Sequence, residues 1–205
     1  MIPALFGIAM LFVVPTLITV TDLMKWMWSR RAMAIVRFAL AWLVVLLSMF
    51  VCMVCDAPFW VTCAIMWFAA WGVGAAWSDC ATGTVDSARA FPLTVLGVVC
   101  LLLSGQSFTV KCCGLVLAIA LSLLSGYRFS WLGGADMPML RLGSLVVLAS
   151  GGSAALVVFW LLLVLLVGLQ ALESLFNDSG GTVPLAPAVV ASGVLVSLFA
   201  VAVSV

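Results

Sequence analysis

The chain contains no histidine. Histidine is the commonest general base and a frequent metal ligand, so Ser-His-Asp and Cys-His catalysis in their usual forms are excluded. Acid–base chemistry must come from carboxylates, lysine, tyrosine or cysteine. Charge is scarce too: 7% of the 205 residues are charged and the formal net charge is +1. No basic face is left to hold nucleic acid. Long polar stretches from which a separate soluble domain could form are missing, and so are internal repeats.

What is abundant is apolar. Hydrophobic residues make up 67% of the chain, more than a soluble domain of this size can hide. The apolar runs are long enough to cross a hydrocarbon core of about 30 Å. Backbone groups in lipid must be satisfied within their own segment, so each span should be helical. The expected fold is therefore all-α: a polytopic transmembrane helical bundle of about eight helices. The spans fall at roughly 2–20, 32–55, 59–78, 90–104, 108–125, 137–150, 154–172 and 184–204. The first lacks a basic leading region and a small-residue cleavage site, so it reads as a retained helix and not a secretory signal.

The seven cysteines (Cys52, Cys55, Cys63, Cys80, Cys100, Cys112 and Cys113) lie almost entirely in apolar runs. Cys52 and Cys55 form a C-x-x-C inside a predicted span. It has neither the βαβ context of a redox motif nor the second pair of a zinc site. All seven read as small packing residues, and neither metal nor cofactor is expected.

Lysine and arginine set the expected orientation. Lys25, Arg30, Arg31 and Arg37 cluster at the first connection, Arg89 lies at the third, and Arg128 and Arg141 flank the fifth. Lys111 alone falls on the opposite side. With eight spans, the basic side should be cytoplasmic and both termini should lie outside. The outer connections are short: Asp56-Ala57-Pro58, Ser104-Gly105-Gln106-Ser107 and Gly151-Gly152-Ser153. The inner ones are longer and more polar, so loop-borne function should lie on the inner face of a cytoplasmic membrane.

The acids are Asp22, Asp56, Asp79, Asp86, Asp136, Glu173 and Asp178. Ionisable groups near membrane depth are expensive, and two stand out by their surroundings. Asp79 follows Ala75-Ala76-Trp77-Ser78 at the inner end of the third span. Asp136 follows Gly133-Gly134-Ala135 where the sixth begins. Two spans separate them, so an out-and-back path returns both to one membrane surface. Small residues before Asp136 allow close approach, and a helix N-terminus favours a carboxylate there. Two neighbouring carboxyls cannot both ionise easily: one keeps its proton while the other acts as base. Such a pair can activate water against a peptide carbonyl without histidine, metal or covalent intermediate. Either Asp alone also fits an interfacial helix cap.

Three stretches carry a family resemblance. Gly133-Gly134-Ala135-Asp136 resembles the G-x-G-D signature of type IV prepilin (leader) peptidases. Asp79-Cys80-Ala81-Thr82-Gly83-Thr84-Val85-Asp86-Ser87 looks like that family's first aspartate motif. Pro184-Leu185-Ala186-Pro187-Ala188 looks like the P-F-G-P-F segment that opens its last helix. The three occur in family order across about residues 60–205. Departures are Asp86 and Ser87 where Pro and Asn are usual, Ala135 for a Gly, and Pro138 where Lys is common.

The resemblance implies a catalytic pair, Asp79 and Asp136, supported by Gly133, Gly134, Ala135, Pro184 and Pro187. It implies cleavage of the leader from pilin-like precursors at the cytoplasmic membrane face. It also implies a division into two additional N-terminal helices (1–58) and a six-helix aspartyl peptidase core (59–205), without the cytoplasmic domain associated with N-methylation. Partners would be pilin-like precursors and the lipid bilayer, with no nucleic acid. The alternatives are a small transporter or permease, in which acids relay protons or bind cations, and an inactive pilus-assembly membrane factor.

Overall fold

A computed structural model describes residues 15–16, 31–82, 90–124, 136–176 and 185–204, and the architecture is all-α. In chain order the helices are α1 (Arg31–Val54), α2 (Phe59–Thr82), α3 (Ala90–Leu103), α4 (Phe108–Leu124), α5 (Asp136–Phe176) and α6 (Ala186–Val203). Three are long and apolar enough to cross a membrane: α2 over Phe59–Cys80, α5 over Asp136–Leu172 and α6 over Ala186–Val203. The apolar stretches Phe38–Val54, Phe91–Leu103 and Phe108–Leu124 are shorter. The chain is a multi-pass membrane protein.

The described residues hold six helical elements, where about eight helices are predicted. The predicted span at 2–20 lies almost entirely outside the described residues. The predicted spans at 137–150 and 154–172 run together in α5, across a non-helical Gly152 at φ 67°, ψ −154°. That residue is a reversal. A Cβ placed on Gly143 would sit 3.3 Å from Cζ of Phe159, whereas an unbroken helix would put residues 143 and 159 about 24 Å apart. The element is thus a hairpin, with a first arm at 136–151 and a second at 153–176.

Gly152 occupies a backbone region that is essentially reserved for glycine. Gln106, from the α3–α4 connection, braces the bend: its Nε2 donates to the Ala149 carbonyl at 3.3 Å. That carbonyl lies in the last turn before the break, where helical donors run out. Gly152→Ala is expected to destabilise the protein by about 1–3 kcal/mol. Gly105→Ala should be near neutral, because a Cβ there meets nothing within 4 Å. Thermal midpoints of the two variants in detergent check the contrast.

The core is built around α2, which packs on α1, α3, α5 and α6. Its residues 61–73 are buried all round, including Trp67, Phe68 and Trp71, as befits a helix apolar on every face. Exposed large side chains crowd the outside: Leu43, Phe50 and Met53 on α1, Val116 and Ile119 on α4, and Leu161 and Val164 on the second arm of α5. Apolar surface this extensive is what lipid covers. Cys52, Cys63 and Cys100 are free and buried.

Candidate functional site

Asp79 sits in the last turn of α2 and is half-buried. Its Oδ2 accepts the backbone N–H of Ala186 at 3.0 Å. Ala186 opens α6, and its N–H is one of the donors that a helix start leaves without an internal partner. Leu185 holds the cap position and offers no side-chain acceptor. The carboxylate of another helix fills that role, where the helix dipole favours negative charge. Pro187 follows in the first turn, where its missing N–H costs nothing.

Small residues bring α2 and α6 close enough for this contact. A Cβ on Gly72 would lie 2.8 Å from Cγ2 of Val190, and one on Gly193 would lie 2.6 Å from Cε1 of Phe68. The facing pairs 79–186, 72–190 and 68–193 fall in number on α2 as they rise on α6, so the two helices are antiparallel.

Asp136 is the first residue of α5 and is half-buried. Along that first arm, Gly143 faces both Phe68 and Val189, each 3.4 Å from a Cβ placed there, and Gly151 faces Ala200. Numbers rise together on the arm and on α6, so these two run parallel. Asp136 therefore lies at the end of the bundle where α6 starts and α2 finishes, the end that holds Asp79. The third residue of the arm, Pro138, is buried in the first turn, where proline fits. Gly133, Gly134, Ala135 and Pro184 lie outside the described residues.

Arg141 follows on the same arm. Its Nε donates to Thr94 Oγ1 at 3.3 Å and its Nη1 to Ser122 Oγ at 2.6 Å, joining α3, α4 and α5. It lies inside the predicted span at 137–150, which here is the first arm of α5. Thr94 and Ser122 carried no sequence signal, because hydroxyls in apolar runs ordinarily bond back to their own helix. Ser122 does this as well, donating to the Ala118 carbonyl at 2.6 Å.

No protein-family model, no curated protein and no solved structure matches this chain.

Proposed function

We propose that the protein is a membrane aspartyl endopeptidase that removes the leader peptide of pilin-like precursors, with Asp79 and Asp136 as its acid–base pair. The supporting observation is the bond from Ala186 N–H to Asp79 Oδ2, which ties the end of α2 to the start of α6 at the end of the bundle where α5 begins with Asp136. In this reading one carboxylate takes a proton from water as the oxygen attacks the scissile carbonyl. The other, protonated, delivers its proton to the departing amine. The peptide C–N bond breaks and water supplies the new hydroxyl and hydrogen. The precursor's apolar segment lies in lipid, and the cut falls at the membrane boundary. In this reading that end faces the cytoplasm across the cytoplasmic membrane, which the lysines and arginines clustered in the sequence just before and at the starts of α1, α3 and α5 support. The resemblance of the three motif stretches to prepilin peptidases supports the substrate class.

The test is to incubate the purified protein with a pilin-like precursor and weigh the product. A precursor shortened by its leader is expected. A folded protein that leaves the precursor intact would end the proposal. One observation favours a second reading: the same bond is a helix cap. In that reading Asp79 only stabilises α6, and the protein is an inactive assembly factor that binds precursor without cutting it.

A further inference from the structure

We infer that Arg141, Thr94 and Ser122 form a binding site for the phosphate of an anionic phospholipid. A guanidinium within a membrane span calls for a counter-charge or a polar cradle. Arg141 has the cradle: Thr94 Oγ1 and Ser122 Oγ, both neutral, fix its head through Nε and Nη1. Guanidinium carries five N–H donors in a planar fork. Those two bonds use two of the five, and the three donors on Nη1 and Nη2 that they do not use can reach a phosphate.

The depth and the surroundings suit a headgroup. Thr94 lies in the second turn of α3 and Ser122 in the last turn of α4, so the clamp is within about two turns of both helix ends. Arg141 is only half-buried, and Ser122 is exposed. Apolar side chains open to the outside flank the clamp: Phe91 and Val95 on α3, Ile119 and Leu123 on α4. A free phosphate would meet the cation and leave that surface bare. A lipid covers both, its phosphate on Arg141 and its acyl chains along α3 and α4. The site does not depend on the peptidase reading.

Native mass spectrometry of the delipidated full chain, titrated with phosphatidylglycerol or phosphatidylcholine, tests the site. The wild type should retain one phosphatidylglycerol at least about fivefold more than phosphatidylcholine, the preference that one interfacial cation confers. Arg141→Gln should abolish the preference. Thr94→Val combined with Ser122→Ala keeps the charge but releases its head, and should weaken the preference; this variant decides the matter if Arg141→Gln does not fold. Lys111→Gln, at the other end of α4, should leave it intact. Equal retention in wild type and both clamp variants overturns the inference. So does loss of the preference in Lys111→Gln. Inorganic phosphate should not raise the thermal midpoint, and an Arg141-dependent rise would overturn the lipid assignment in favour of a free anion.

Discussion

Asp79→Asn is expected to stop precursor cleavage while leaving the protein folded. The amide oxygen of asparagine still accepts the Ala186 N–H that Oδ2 accepts at 3.0 Å, so the start of α6 stays capped. What the amide cannot do is take up a proton. Loss of a positioned acid or base costs about 10²–10⁴ in rate, which puts cleavage below detection in an endpoint assay. Asp79→Ala removes both roles: cleavage stops, and the thermal midpoint falls by the equivalent of about 1 kcal/mol for the lost cap. Asp136→Asn should abolish cleavage as Asp79→Asn does. Asp56→Asn, in the exposed turn between α1 and α2, should be silent. The informative comparison is cleavage against midpoint across the set. Wild-type cleavage by Asp79→Asn would reduce Asp79 to a cap and remove the catalytic assignment.

The largest purely structural effect is expected at the α2–α6 contact. In Gly193→Val the new Cβ would stand 2.6 Å from Cε1 and 3.0 Å from Cζ of Phe68. Phe68 is fully buried, so its ring cannot swing out to solvent. The helices must part, at a cost of about 1–3 kcal/mol. Asp79 is held to Ala186 by that same approach, so cleavage and stability should fall together. Phe68→Ala alone leaves a cavity worth about 3–5 kcal/mol. In the double variant valine occupies part of that space, so the combined loss should be smaller than the sum by about 0.5–3 kcal/mol. Midpoints of the four proteins in detergent complete the cycle. Strict additivity would mean that residues 68 and 193 do not share one space.

Hydropathy made much of the helical framework legible. The predicted spans at 32–55, 59–78, 90–104, 108–125 and 184–204 correspond to α1, α2, α3, α4 and α6. Long apolar runs constrain helices directly, because lipid offers the backbone no other partner. The count of eight was less legible. The first span falls almost wholly outside the described residues, and a turn as tight as the one at Gly152 joins two spans into a single element. At the candidate site, Asp79 and Asp136 stand out in the sequence by their surroundings, and counting crossings puts both at one membrane surface. The bond between Asp79 and Ala186, 107 positions apart, was beyond reach, because a cap supplied by another helix leaves no local pattern. The clamp on Arg141 was hidden for a related reason: its hydroxyls come from two other helices. The glycines that admit Val190 and Phe68 show only as small residues until their neighbours are placed.

Gly152 has a reach that extends well past its own turn. Were residues 136–176 a single straight rod, the last helix would have to set out from the far side of the bundle. Ala186 would then be a membrane's width from Asp79, and no cap could form between them. One backbone conformation open to glycine adds a crossing, and that added crossing returns the start of α6 to the acids. Parity in this protein is decided by a residue with no side chain, far from the cap it makes possible.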